Sequence, residues 1–364
     1  MSSWVAHRPD GRMRRANAMS PLTQGMFTVI AATSAILSFS AGARAQGHWV
    51  KLAPLPEKSE EFSFGSANGK IYLFGGLPEG TTPPKGLVEE YDPATDKWTK
   101  KKNMPLPTHH AAVASYGGKI YLFGGAAQLE AGGPTQIPVN NTWEYDGAAD
   151  SWRALAPDPI ARMAAAAVEV GGKFYVIGGA SVHPGAKLVS IGPTTPHRSL
   201  DTNEVYDPAA NKWERRSPMP TARNHSAAGV VGDKIYVIGG RLGSGVITTG
   251  SNTDIVEEYD PATDGWGYAR ARMPTPRSGM GWATYLGRIY VAGGEIYDSH
   301  EFAAMRAFEA YDPATNQWSV LPPLPAARHG VNVAVIGNRI YVIGGHLTGD
   351  GSGGKAADSD ANDA

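Results

Sequence analysis

Four arginines share one repeated position. A double glycine closes an apolar stretch six times, at Gly75-Gly76, Gly124-Gly125, Gly178-Gly179, Gly239-Gly240, Gly293-Gly294 and Gly344-Gly345. Sixteen residues before each pair stand Ser59, Thr108, Arg162, Arg223, Arg277 and Arg328. A guanidinium offers planar, bidentate contacts to carboxylates, so four in one register would form an anion-binding collar. The competing reading is structural, with each arginine bonded to backbone or to the Tyr-Asp groups of the repeats. Two residues on, where strand alternation returns a side chain to the same side, stand Glu61, His110, Ala164, His225, Gly279 and Gly330. Glu61, His110 and His225 are acid–base groups and metal-ligand types. The two histidines sit in the second and fourth repeats, which are not neighbours, so no metal is assigned. A polar lining is the alternative.

Directly after the glycine pairs come Leu77, Ala126, Ala180, Arg241, Glu295 and His346. Polarity gathers in the last three repeats, pairing Arg223 with Arg241, Arg277 with Glu295 and Arg328 with His346. An asymmetric polar sector suits a specific ligand; ordinary loop polarity is the plainer reading.

The elements that must position these groups are strands. The chain has 364 residues, with 45 Gly and 27 Pro, which disfavours long helices, while 42% hydrophobic content supplies a core. Before the glycine pairs run KIYLFGG, KIYLFGG, KFYVIGG, KIYVIGG, RIYVAGG and RIYVIGG. A Tyr-Asp pair begins at Tyr91, Tyr145, Tyr206, Tyr259 and Tyr311. Each Tyr is followed seven residues later by Trp98, Trp152, Trp213, Trp266 or Trp318, and Trp49 precedes the first repeat. Gly-containing links read as hairpins, and Asp-Pro-Ala-Thr after three of the tyrosines reads as a type I turn. These motifs, at a period near fifty over residues 48–345, resemble the kelch repeat.

The resemblance implies an all-β, six-bladed β-propeller, its ring closed by an N-terminal strand near residues 48–52. It also implies a binding scaffold, because arginines at the matching register contact ligand in kelch domains that take acidic peptides. The interval from double glycine to Tyr varies (16, 21, 28, 20 and 18 residues), while the other spacings hold to within one residue. Insertions are thus confined to one face, the usual mark of a binding face. The longest interval, residues 181–200, suits a lid, a partner contact or a tolerated insertion. The expected ligand is a protein, peptide or glycan. Resemblance in architecture to exported bacterial kelch propellers implies a second reading, a sialic acid mutarotase. Glu295 or His225 would then move protons, and Arg277 or Arg328 would hold the sugar carboxylate.

Residues 1–45 carry five arginines and one acid, an apolar run from Gly25 to Ala41 and Ala43-Arg44-Ala45. Basic, apolar and small-residue regions in that order predict a cleaved signal peptide and export to the periplasm or outside. No later segment is apolar enough to span a membrane. The propeller is expected over 46–350, with 351–364 a flexible or truncated tail, because no third strand for the last blade is visible there. The absence of Cys excludes disulfides and thiolate sites, and a net charge of -1 gives no basic field for nucleic acid. No phosphate-binding loop or cofactor motif is present. Oligomeric state is left open.

Overall fold

The computed structural model describes residues 47–78, 83–187, 189–191, 197–243, 251–297, 302–349 and 358–364. The expected signal peptide lies outside them. The described residues are all-β, without a helix long and apolar enough to cross a membrane. Five blades are four-stranded antiparallel sheets whose strands follow chain order. Blade 1 has Ser63–Ala67, Lys70–Phe74, Val88–Asp92 and Lys97–Lys100. First strands pack side by side around a central channel. Second strands end at the double glycines on what is called here the upper face. The Tyr-Asp turns lie on the lower face.

Apolar residues of each second and third strand pack into the gap between blades. One such layer joins Ile71, Leu73 and Tyr91 of blade 1 to Tyr341 and Ile343 of blade 6. Burying each such side chain contributes about 1.5–3 kcal/mol. The repeated aromatics have one job in five of the six gaps. The Tyr hydroxyl donates to an acceptor five residues on, as in Tyr91 to Asp96 (2.7 Å) and Tyr311 to Asn316 (2.7 Å). That same side chain accepts a backbone N–H from the neighbouring blade, and the Trp indole donates to the same residue's carbonyl. Ala53 shows both, donating to Asp96 (2.8 Å) and accepting from Trp98 (2.9 Å).

The glycine pairs stitch the upper face. The second glycine donates to the arginine-register carbonyl of the next blade, as in Gly125 to Arg162 (2.9 Å), and around the seam in Gly345 to Ser59 (3.1 Å). A Cβ on Gly124 would lie 2.4 Å from that Arg162 oxygen, and its φ is +61°, so a side chain is doubly excluded there.

The ring closes as expected from the N-terminal side. Val50 and Leu52 pair with Ala364 and Asn362 (2.8 and 2.9 Å), and the Trp49 indole donates to Pro323 (2.8 Å). The C-terminal expectation needs correction. Residues 351–357 lie outside the described residues, but Asn362–Asp363 is a third strand of blade 6, with Asp363 opposite Val342. Blade 6 is therefore filled by the two ends of the chain.

Candidate functional site

Each blade enters its first strand through a left-handed residue. Glu61, His110, Ala164, His225, Gly279 and Gly330 all have φ between +51° and +59°. Their backbones form a chain of hydrogen bonds around the axis. His110 donates to Glu61 (3.1 Å), Ala164 to His110 (2.9 Å), His225 to Ala164 (2.9 Å), Gly279 to His225 (3.2 Å) and Gly330 to Gly279 (2.8 Å). This collar sits at the upper mouth of a channel of about 400 Å3, lined below by Phe64, Val113, Val168, Trp282 and Val333.

The left-handed turn defeats simple alternation, which corrects the expectation for the arginines. Arg162, Arg223, Arg277 and Arg328 do not face the mouth; all are at most 1% exposed. Each lies across the upper edge of its own blade, against strand-ending carbonyls and a third-strand acid. Arg277 donates to Gly293 (2.8 Å) and pairs with Glu309 (2.6 Å). Arg328 pairs with Asp363 (2.6 Å), Arg223 with Glu257 (2.9 Å), and Arg162 with Glu204 and Asp158. Burial pulls the Arg277 guanidinium below its ordinary value, opposed by Glu309. In blade 1, where Ser59 replaces the arginine, Glu89 stands at the acid's position and burial pushes its carboxyl up. The arginines are scaffold, and Arg277 and Arg328 cannot hold a sugar carboxylate.

The other expected residues do converge. Glu61 meets His110 (3.0 Å), and the His110 and His225 rings touch edge-on with centroids 5.1 Å apart. These two repeats are not neighbours, but Ala164 between them is small. Arg241 pairs with Glu295, which is fully buried, and its Nε donates to Ser278 (3.2 Å). His346 stacks obliquely on His329, with centroids 5.4 Å apart. Burial, reinforced by Arg241, lowers the His110 imidazole to about 3, and burial holds His109 and His225 well below their ordinary value. These histidines are neutral, so proton acceptance by His225 at neutral pH is disfavoured.

Sequence reading passed over the residue between the two registers: Glu60, His109, Met163, Asn224, Ser278 and His329. Each pairs, residue against residue, with the one that follows the double glycine of its own blade, as Ser278 does with Glu295 and His329 with His346. That pairing is the signal that could have found them.

The residue-191 loop is pinned, with Ile191 buried against Ala126, Met163 and Ala180 and its N–H donating to Gln136 (2.9 Å). Residues 188 and 192–196 of that interval lie outside the described residues.

Comparison with known proteins agrees with this architecture. The Kelch motif matches residues 61–105 and 161–220, and the KLHDC2/KLHL20/DRC7 Kelch-repeats domain matches residues 192–345. The chain is a kelch-repeat β-propeller. It is 29% identical over 210 residues to Kelch-like protein 25 of Xenopus tropicalis, covering 57% of this chain and 32% of that protein. It is 29% identical over 305 residues to Kelch-like protein terF of Aspergillus terreus, covering 83% and 52%. β-Scruin of Limulus polyphemus is 30% identical over 220 residues, covering 58% and 22%. This kelch propeller thus spans about half or less of these relatives. The solved structure of YjhT superposes with a TM-score of 0.67 at 20% identity, over 85% of this chain and 96% of that one, which shows a shared fold.

Proposed function

We propose that this kelch propeller is a binding domain that takes a segment of a partner protein on its upper face. One observation carries the reading. Every blade builds the same collar, but the chemistry is unequal. Blade 3 does it with Met163, Ala164 and Ala180, so the fold does not require polar groups there. Blades 4, 5, 6 and 1 nevertheless place Asn224, His225, Arg241, Ser278, Glu295, His329, His346, Glu60 and Glu61 at the equivalent positions. Desolvating such groups is costly, and the loops of unequal length surround the same mouth.

The cluster also indicates the partner's charge. With the arginine register spent on internal acids, Glu60, Glu61, Glu295 and Asp358 outnumber the guanidinium of Arg241 among the described residues of the mouth. A cationic side chain on the partner complements this mouth. The expected signal peptide supports a location outside the cytoplasm for this binding.

Peptides selected from a displayed library against the purified protein test the proposal. Glu295→Gln should weaken the selected binders at least tenfold, whereas Lys97→Ala and Lys212→Ala on the lower face should leave affinity unchanged. Binders lost on lower-face substitution alone, or a ligand that proves to be a neutral glycan, would overturn it.

A further inference from the structure

Within the same polar mouth, the seam between blades 6 and 1 brings three ligand-type side chains closer together than partner binding requires. Glu60 enters from blade 1, and His329 and His346 from blade 6. Each offers one ligand atom, and these atoms lie within 4.8 Å of one another. We propose that Glu60, His329 and His346 bind a divalent transition-metal cation at the ring closure.

The distances carry this. His329 Nε2 lies 3.8 Å from Glu60 Oε2, 3.9 Å from Glu61 Oε1 and 3.7 Å from Glu295 Oε2. All three gaps exceed hydrogen-bond reach. The first matches the spacing of nitrogen and oxygen ligands that each sit about 2.0–2.2 Å from a shared ion. His329 is 2% exposed, and its Nδ1 is buried without a hydrogen-bond partner among the described residues. A buried imidazole whose Nε2 stands 3.7–3.9 Å from three carboxylate oxygens is poorly satisfied unless an ion engages that nitrogen. His346 Nδ1 lies 3.0 Å from the Thr348 carbonyl, to which it can donate its ring N–H. Its Nε2 is left toward Asp358, 3.8 Å away. Fixing one imidazole nitrogen so that the other can ligate is the usual outer arrangement of a metal site.

The donor set selects the ion. Two imidazoles and one carboxylate suit Zn2+, Co2+, Ni2+ or Fe2+, whereas Mg2+ and Ca2+ prefer oxygen alone. The position gives the ion a structural consequence. His346 bridges backbone-to-backbone with both His329 and Asp358, and Asp358 lies four residues before the third strand of blade 6. An ion here ties blade 1, blade 6 and the C-terminal segment together. Binding to the folded state alone should raise thermal stability.

The test uses the purified, tag-free chain, stripped with chelator and dialysed. Co2+ titration should give visible d–d bands saturating at one equivalent, displaced by Zn2+, and Zn2+ should raise the melting temperature by several degrees. Glu60→Gln and His329→Gln should each weaken Co2+ binding at least tenfold, with His183→Gln, on an outer loop, unchanged. If His329→Gln fails to fold, the partly exposed Glu60→Gln still decides. No saturable binding, or binding indifferent to Glu60→Gln, would overturn the proposal. Neither outcome depends on a partner protein, so the metal site and the binding domain stand or fall separately.

Discussion

Arg328 and Asp363 form a buried ion pair, Nη2 to Oδ2 2.6 Å, that fastens the C-terminal segment to the start of blade 6. The same relationship joins Arg277 to Glu309 in blade 5, and Asp363 opposite Val342 is the counterpart of Glu309 opposite Val291. One rule therefore governs blades 3 to 6: an arginine above the first strand demands an acid on the third.

Removing one member should be costly. Asp363→Ala leaves a buried guanidinium unpaired and should lower stability by about 3–5 kcal/mol, read as a shift in the urea midpoint. Replacing both partners with apolar residues, Arg328→Met with Asp363→Leu, should recover much of the loss. An unchanged midpoint for Asp363→Ala would show that the C-terminal strand contributes nothing.

Arg277→Ala should behave as a scaffold lesion. A loss of about 3–5 kcal/mol is expected from the stranded Glu309. Any selected binder should retain its affinity below the melting transition. Loss of binding with full stability would restore the arginines to the ligand.

Gly330 is left-handed (φ +57°), and an added Cβ would lie 2.9 Å from Glu61 Oε1. Blade 3 already tolerates Ala164 at φ +51°. Gly330→Ala should therefore cost more than the ~1–2 kcal/mol of the backbone alone. In a Glu61→Ala background the excess should vanish, so a double-mutant cycle should show clear coupling.

Stability should rise with pH through the histidine range. Buried His110 is lowered to about 3, and His109 and His225 lie well below 6.5, so the folded state binds fewer protons than the unfolded chain between those values. Their contribution is complete above about pH 6.5 and falls as pH drops toward the folded values, by about 1.4 kcal/mol per pH unit for each fully neutral histidine. Urea midpoints from pH 7.5 to 5 should show this slope, and His110→Asn should flatten it by roughly one proton. A midpoint independent of pH would mean these imidazoles are not sequestered.

Most of the scaffold was legible because its parts repeat. Tyr91 with Trp98 and Gly75 with Gly76 recur at spacings that only a blade satisfies, and Trp49 announced the closure. The last third strand was not, because residues 358–364 carry no aromatic. Its signal lay instead in Arg328, whose counterparts in blades 3 to 5 all have an acid two residues before the Tyr. At the mouth, Glu61, His110, His225, Arg241, Glu295 and His346 come together, and register alone had singled them out. The arginines were misplaced because a left-handed residue two positions later rotates the chain, so period-two alternation fails where it was applied. His329 and Glu60 were missed for the same reason: they lie between the registers that alternation selected.

Hydrogen exchange of the protein with and without a selected partner tests the central claim most directly. Protection should appear over 59–62, 223–226, 240–243, 277–280 and 328–330, the polar sector of the collar and its upper edge. Protection confined to the lower turns at 92–96, 146–150, 207–211 and 260–264 would contradict the assignment of the upper mouth as the binding site.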